Sequence, residues 1–210
     1  MTRIEAEVIG TERLVLVPQR VEHAREMAGV LSDPALHTFI GGEPATADEL
    51  RSRYARMAAG PADPAVSWCN WVIRLRESEE SAAKGQLVGT VQATISPADP
   101  DDPADRAGLP TSSGPSRPSR TSGPDAGPGP WLVAEIAWVV GVAHQGRGIA
   151  TEAARGLVGR LERRSVRDIA AHVHPDHAAS KAVARAAGLE PTDEWHDGEV
   201  RWLLRRKARR

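Results

Sequence analysis

The sequence predicts one α+β domain, in which a central mixed and mostly antiparallel sheet of about six to seven strands is flanked by about four helices. Strand-like and helix-like segments are interspersed rather than strictly alternating, and this order favours a mixed sheet over a doubly wound parallel one. The chain has 210 residues, of which 40% are hydrophobic, enough for one good-sized core. We therefore expect residues 1–210 to form a single domain.

Hydrophobic periodicity places the elements along the chain. Residues 1–12 look weakly ordered. In the first half the pattern predicts strands at 13–18, 69–76 and 86–95, helices at 21–31 and 46–59, and a loop at 41–44. In the second half it predicts strands at 132–142 and 167–174, helices at 149–163 and 178–187, and an antiparallel pair near 194–195 and 200–204.

Two helices carry clear local signals. The helix at 46–59 begins near Thr46, a favoured N-cap residue, and has acidic residues in its first turn. The helix at 149–163 is amphipathic, and its apolar face should pack on the sheet. The residues of that face are Ala153, Ala154, Leu157, Val158 and Leu161.

Residues 97–130 form a segment of unusual composition. Its 34 residues include nine prolines, five glycines and five serines, with hardly any large apolar side chain. Such a segment cannot bury enough surface to offset chain entropy, so we predict that it is disordered. Because it lies between two predicted antiparallel strands, we interpret it as an insertion in a hairpin and not as an interdomain linker.

Composition also limits the cellular setting and the partners. The net charge is −1, which gives no overall basic field for nucleic acid. The five positive charges of residues 205–210 are interpreted as a solvated tail, with a nucleic-acid or ribosome contact as the alternative. The single cysteine, Cys69, suits a reducing cytosol and lies in a strand-like run that favours inert packing. With no signal-like or long apolar stretch, we expect a cytoplasmic protein with no membrane partner.

The most informative motif is Gln145-Gly146-Arg147-Gly148-Ile149-Ala150. It follows an apolar strand-like run and precedes the amphipathic helix. Such a turn presents free backbone N–H groups at the positive end of a helix dipole, which makes an anion site suited to phosphate. The two glycines allow the backbone to approach a ligand closely.

Three classes of phosphate ligand compete for this loop, beside an ordinary turn that binds nothing. A dinucleotide fingerprint would need a third glycine where Thr151 stands, with Asp168 as the only candidate for its acidic residue. A nucleoside-triphosphate loop would need a lysine that is missing here. The pattern Gln-x-x-Gly-x-Ala after a strand resembles the coenzyme A pyrophosphate loop of the GNAT superfamily of acyl-CoA-dependent N-acetyltransferases.

The resemblance extends over most of the chain. Segments 134–140 and 166–173 resemble the fourth and fifth strands of the family, and 151–154 continues the loop into its helix. Pro175 to Ser180, followed by Gly188-Leu189, resembles the family's P-x-N-x-x-S segment, although His177 stands where the family usually has Asn. Thr11 to Leu16 resembles the opening of the RimJ/RimL-like branch.

The resemblance implies acetyl-CoA as co-substrate and a set of residues that bind it. The strand before the loop would supply backbone groups at Trp138, Val139 and Val140 to the pantetheine arm and the thioester carbonyl. Amides of Gln145, Gly146, Arg147, Gly148, Ile149, Ala150 and Thr151 would bind the pyrophosphate. His177 is expected to contact pantetheine in place of the usual Asn or to titrate near neutrality. Dimers are common in the family, so a homodimer is an open alternative.

Two residues are the candidates for acid–base catalysis. Glu135 is a carboxylate within an apolar strand, where burial would raise its pKa and suit it to act as general base. The alternative is that Glu135 faces solvent or pairs with an arginine. Ser180, or equally a bound water, is the candidate acid, since the only tyrosine, Tyr54, is far away in the sequence.

The expected acceptor is a primary amine of a small molecule or of a protein N-terminus. The helices between residues 21 and 59 flank the acceptor side in this family, which makes His37, Phe39, Glu43 and Glu49 candidates for binding it. The sequence also leaves open a second function, a CoA-binding sensor or interaction module without catalysis.

The run from His172 to His177, His-Val-His-Pro-Asp-His, matches a zinc signature of hydrolases. Those enzymes need further ligands well downstream. Only 33 residues follow His177 and they hold one histidine, His196, so we predict no metal site.

Overall fold

One sheet of eight strands runs through the residues described by the computed structural model, which are 3–76, 85–98 and 131–205. The strands are β1 (Ile9–Gly10), β2 (Leu14–Pro18), β3 (Ser67–Leu75), β4 (Leu87–Pro97), β5 (Leu132–Val140), β6 (Val166–Val173), β7 (Glu190–His196) and β8 (Glu199–Arg205). Their order across the sheet is β1-β2-β3-β4-β5-β6-β8-β7. The pair β5–β6 is parallel and the other neighbours are antiparallel.

Five α-helices accompany the sheet in the described part of the chain. They are α1 (Ala24–Val30), α2 (His37–Ile40), α3 (Ala47–Ala59), α4 (Ile149–Arg163) and α5 (Ala178–Ala186), with single 3-10 turns at Val21–His23, Pro34–Leu36 and Val142–His144. Helix α3 begins at Thr46, whose side chain and that of Glu49 cap each other's backbone N–H groups. None of the helices described here is long and apolar enough to cross a membrane.

Each face of the sheet has its own core. Helices α4 and α5 pack on one face through side chains such as Leu157 and Val183, together with Ile136 and Ile169 from the strands. Helices α1 and α3 cover part of the other face through a smaller cluster that contains Met27. A fully buried leucine or isoleucine stabilises the fold by roughly 1.5–3 kcal/mol, so the α4–α5 face is the main source of stability.

The predicted fold class is confirmed, with one strand more than expected. The extra strand is β1, and it comes from residues 1–12, which the sequence suggested to be weakly ordered. That suggestion is wrong for the described residues, because backbone groups of this segment find partners on β3. The amide of Ile4 donates to Ser67 Oγ (2.9 Å), and the indole of Trp71 donates to the Glu7 carbonyl (2.8 Å).

The insertion predicted at 97–130 lies outside the described residues except for its first two positions, and the tail beyond Arg205 also lies outside them. The described residues on either side of the insertion lie next to each other. Pro97 pairs with Leu132, and the amide of Ala98 donates to the Trp131 carbonyl over 2.7 Å. The segment therefore connects two neighbouring antiparallel strands, as the sequence predicted.

Replacing residues 99–130 by Asn-Gly should leave the melting temperature unchanged or raise it. The two flanking residues are already in hairpin geometry, and a shorter loop costs less closure entropy. A Gly/Ser linker of the original length is the matched control, because it removes the sequence and keeps the length. A fall of more than roughly 4 °C in both variants, about 1 kcal/mol or more in a protein of this size, would show that the segment contributes stabilising contacts.

Candidate active site

The central feature of the candidate site is a fork between the parallel strands β5 and β6. Their register runs from Leu132 opposite Val166 to Glu135 opposite Ala170 and ends there. Beyond that point β5 remains paired with β4 as far as Val140, and β6 remains paired with β8 as far as Val173. In the described structure the facing edges of the two strands are thus unpaired with each other beyond Glu135.

Trp138, Val139 and Val140, which were predicted to contact the cofactor, lie on β5 along this fork. Strands β4 and β5 approach closely here, since a Cβ on Gly89 would lie 2.2 Å from the Val139 carbonyl oxygen. The Val140 carbonyl accepts a hydrogen bond from Gln145 Nε2 over 3.0 Å. Gln145 therefore ties the end of the strand to the start of the glycine loop.

The glycine loop lies at the open end of the fork. Gln145 to Gly148 are exposed, and Gly146 and Gly148 have φ angles of +71° and +74°, a conformation that L side chains rarely adopt. Gly148 is the N-cap of α4, so the amides of Ile149, Ala150 and Thr151 belong to its first turn. First-turn amides have no partner within the helix and attract anions. The seven residues predicted to bind pyrophosphate are contiguous in this loop and turn, but the Gln145 amide already donates to the Val142 carbonyl over 3.1 Å, so the prediction does not hold for that amide.

A clamp that sequence reasoning missed holds this loop. One carboxylate oxygen of Glu152 on α4 accepts from Thr11 Oγ1 (2.6 Å) and from the Arg13 amide (2.7 Å). Its other oxygen accepts from Arg13 Nε at 2.7 Å. Arg13 Nη1 donates to the Arg147 carbonyl at 3.0 Å, and Nη2 lies 3.4 Å from where a Gly148 Cβ would be. The Thr-Glu-Arg opening was the available signal, but sequence reasoning used it only as a mark of resemblance.

The electrostatics of the clamp keep Glu152 ionised. Burial on its own would raise the pKa of the Glu152 carboxyl, but hydrogen bonds from Thr11 and Arg13 outweigh burial and lower it. The Arg13 guanidinium is thus anchored at one end and half exposed at the other, beside the exposed amides. The Glu152 carboxylate balances the Arg13 charge, and the guanidinium adds N–H donors beside the amides of the loop.

Glu135 occupies the last paired position before the fork. Its neighbours Ala134 and Ile136 belong to the α4–α5 core, and side chains alternate along a strand, so Glu135 points to the opposite face. His172 on β6 does the same between Ala171 and Val173. The two side chains meet there, with His172 Nδ1 3.1 Å from Glu135 Oε1.

The sequence predicted that burial would raise the pKa of the Glu135 carboxyl, and this prediction is wrong. The hydrogen bond from His172 lowers the pKa of the Glu135 carboxyl and outweighs its partial burial, since 61% of the side chain is exposed. The same bond raises the pKa of His172. The sequence left open that Glu135 faces solvent or pairs with an arginine. In the structure Glu135 faces solvent and has a basic partner, which is a histidine rather than an arginine.

Ser180 and His177 lie at the start of α5, the helix that packs on the face of the sheet opposite to Glu135. Ser180 is half-buried in the first turn, and His177 is the N-cap residue. The ring of Phe39 from α2 stacks on His177, with centroids 4.1 Å apart, and lies 5.6 Å from the ring of His174. Burial lowers the pKa of His177, which favours a neutral ring. The structure therefore brings Phe39 to His177, a contact that the sequence did not show.

The other candidates for acceptor binding have local structural roles or point to solvent. Glu49 caps α3 with Thr46, His37 Nδ1 lies 3.0 Å from the Gly41 carbonyl, and Glu43 is exposed. Tyr54 is a buried residue of α3, and burial raises the pKa of its hydroxyl to about 12. Burial likewise raises the pKa of the Cys69 thiol to about 11, in keeping with its predicted inert packing.

The histidine run is engaged in contacts other than metal binding. His172 pairs with Glu135, and His174 Nδ1 accepts from the Asp176 amide at 3.2 Å. Among the residues that the structure describes, no group of three or more His, Cys, Asp or Glu side chains could hold a metal ion.

The forked mixed sheet, the glycine loop at its open end and the helix that follows are the architecture of an acyltransferase of the GNAT fold. Comparison with protein-family models agrees, since residues 13–190 match the acetyltransferase (GNAT) domain. The chain belongs to that family and is an acyltransferase, as the resemblance implied. No curated protein matches the chain in sequence.

Solved structures of similar fold cover nearly the whole chain. RimL, a ribosomal L7/L12 alpha-N-protein acetyltransferase in complex with coenzyme A, superimposes with a TM-score of 0.62 at 15% identity, over 95% of this chain and 98% of RimL. AAC(6')-Ib in complex with paromomycin and acetyl-CoA gives 0.63 at 16%, over 93% and 94%. A GNAT-family acetyltransferase from Bacillus anthracis gives 0.61 at 16%, over 95% and 98%. At these identities the likeness establishes the fold.

Arg13→Gln should weaken coenzyme A binding about tenfold, because one charge-assisted contact to phosphate stabilises a complex by roughly 1.5 kcal/mol. Titration calorimetry with coenzyme A measures the change. Thr11→Val is the control, since it removes a bond to Glu152 while the arginine keeps its charge. Equal losses of coenzyme A affinity in the two variants would show that the clamp only holds the loop in place. An unchanged dissociation constant in Arg13→Gln would refute a contact between Arg13 and phosphate.

Proposed function

We propose that this protein transfers the acetyl group of acetyl-CoA to a primary amine, of a small molecule or of a protein N-terminus, by direct attack in a ternary complex. The observation that carries the proposal is the fork of β5 and β6, which opens beside an exposed anion-binding loop. This arrangement offers free backbone groups to an extended chain and amides to the phosphates at its end. Membership of the GNAT family supports the same assignment.

The residues of the loop fit the pyrophosphate of acetyl-CoA. Gly146 to Thr151 offer consecutive amides, two glycines leave room for the ligand, and the Arg13 guanidinium adds N–H donors beside them. The pantetheine arm would follow β5 along Trp138, Val139 and Val140, with His177 across the fork. When bound, acetyl-CoA supplies the thioester, whose carbonyl oxygen becomes an oxyanion that backbone amides stabilise.

The two proton transfers of the reaction would take place on opposite faces of the sheet. The acceptor amine must lose a proton before it can attack, and the Glu135 side of the fork provides basic groups for this. The departing thiolate benefits from a proton donor, and Ser180 lies on the opposite side at the start of α5. A direct transfer through the fork needs no covalent enzyme intermediate.

The acceptor would approach from the face that carries α1 to α3. There the Glu135 carboxylate could attract an ammonium group, and Phe39 on His177 forms an aromatic wall. Among the proteins of similar fold, RimL is described as acting on ribosomal L7/L12, and AAC(6')-Ib as bound to paromomycin. We favour a small-molecule amine here, because the net charge of −1 gives no indication of a ribosomal partner.

Gly148→Asp should abolish binding of acetyl-CoA in titration calorimetry, since it places a negative charge where the pyrophosphate is expected. Gly148→Asn is the matched control. It has nearly the same shape and tolerates the positive φ of this position about equally well, so it carries the same strain without the charge. The Gly148→Asn variant should therefore bind acetyl-CoA more tightly than the Gly148→Asp variant. Wild-type affinity for acetyl-CoA in Gly148→Asp would refute the site.

Cys69→Ala should keep the wild-type rate of thiol release from acetyl-CoA in the presence of an accepted amine. The thiol is buried and its pKa is raised to about 11, so it is not a nucleophile at neutral pH. The assay screens paromomycin, polyamines and peptides with free N-termini. Mass spectrometry that traps acetyl-Cys69 on the reaction path would contradict direct attack. Binding of acetyl-CoA without acetylation of any amine would favour the non-catalytic CoA-binding module instead.

A further inference from the structure

A row of polar side chains crosses the sheet at the base of the fork, on the face that carries α1 to α3. Glu135 on β5 contacts His172 on β6, and His172 is the cross-strand partner of Arg201 on β8. Arg201 Nη1 in turn donates to Glu194 Oε2 at 2.6 Å. Of these contacts, the bond from Glu135 to His172 is the one that bridges the two strands of the fork.

The geometry of this contact shows which nitrogen of the His172 imidazole carries a proton. Nδ1 of His172 faces a carboxylate oxygen at 3.1 Å, and an ionised carboxylate can only accept, so Nδ1 carries a proton. Nε2 is then the nitrogen that can gain or lose a proton. The His172 side chain is 19% exposed, so its ring is held in place and still reaches solvent. A base held by a carboxylate through its second nitrogen is the arrangement that orients catalytic histidines in general.

We infer that His172 is the residue that takes the proton from the acceptor amine, and that Glu135 is the positioning residue that holds its ring. The inference rests on the proposed function and deepens it, because it replaces a lone carboxylate base by an oriented imidazole. A carboxylate that is already engaged in a hydrogen bond is a poor proton acceptor for an ammonium group. An imidazole is better matched to neutral pH.

The step balances as follows. The acceptor ammonium gives one proton to Nε2 of His172, and the neutral nitrogen forms a C–N bond to the thioester carbonyl carbon. The C–S bond then breaks, Ser180 gives its proton to the departing thiolate, and the second proton lost by the nitrogen restores the Ser180 hydroxyl. His172 releases its proton to solvent. The products are an amide, the thiol of coenzyme A and one proton.

Charged groups on three strands face His172 and set its pH dependence. Glu135 on β5 and Glu199 on β8 favour the protonated ring, Arg201 on β8 opposes it, and the ring of His196 on β7 lies 5.5 Å away. The hydrogen bond to Glu135 is the largest influence and raises the pKa of His172. Only the neutral ring can accept a proton, so kcat/KM should rise with pH as His172 deprotonates.

The kinetic test compares His172→Gln, Glu135→Gln and His196→Gln with the wild type, using paromomycin and a peptide with a free N-terminal serine as acceptors. His172→Gln should lose roughly 100-fold or more in kcat/KM, the usual size of a general-base contribution, with an unchanged dissociation constant for acetyl-CoA. Glu135→Gln should move the acid limb of the pH profile to lower pH, because its carboxylate no longer holds the proton on His172. His196→Gln, which removes a neighbouring exposed imidazole, should stay within about twofold of wild type.

A spectroscopic test needs no acceptor. Long-range ¹H–¹⁵N spectra of the imidazoles should show His172 protonated at Nδ1 in its neutral form, with a pKa that falls in Glu135→Gln. A wild-type rate in His172→Gln, a neutral His172 ring protonated at Nε2 instead of Nδ1, or an unchanged pKa of His172 in Glu135→Gln would each overturn the inference. Any of these results combined with intact acetyl-CoA binding would leave the proposed function standing. A wild-type protein that does not bind acetyl-CoA would instead remove the proposed function, and the inference with it.

Discussion

The candidate site depends on the point at which β5 and β6 cease to pair by hydrogen bonds. Up to Glu135 and Ala170 the two parallel strands share a ladder, and beyond it each keeps its partner on the outer side, β4 for one and β8 for the other. Both strands thus stay within the sheet beyond the point where their shared ladder ends, and the fork is part of its strand pairing. Backbone groups that a continuous sheet would consume are left for a ligand.

The fork separates two environments that need different chemistry. On one face, α4 and α5 bury the main core and present the glycine loop and the first turn of α5. On the other face, the polar row and Phe39 lie near the route that an amine would take. The clamp of Thr11 and Arg13 on Glu152 ties the start of the chain to the first turn of α4, more than 130 residues away. It holds the Arg13 guanidinium against the loop, where Nη1 donates to the Arg147 carbonyl.

At Glu135 two opposing effects compete, and their balance decides the chemistry. Partial burial favours the neutral carboxyl, whereas the hydrogen bond from His172 favours the carboxylate and is the stronger effect. The apolar neighbours in the sequence suggested burial, but alternation along the strand turns Glu135 away from the core that those neighbours fill. The result is a coupled acid–imidazole pair, in which the shared hydrogen bond lowers the pKa of the Glu135 carboxyl and raises the pKa of His172.

Local patterns in the sequence determined the fold class, most of the strands and helices, the capped start of α3 and the glycine loop, because each depends on residues a few positions apart. The family resemblance then led to an acyltransferase of the GNAT family. Only the tertiary structure decided that Ile4 and Glu7 bond to β3, that Arg13 faces the loop, that Phe39 stacks on His177 and that His172 binds Glu135. Each of these contacts joins elements that are distant in the sequence, and periodicity carries no information about which strands become neighbours or where their pairing ends.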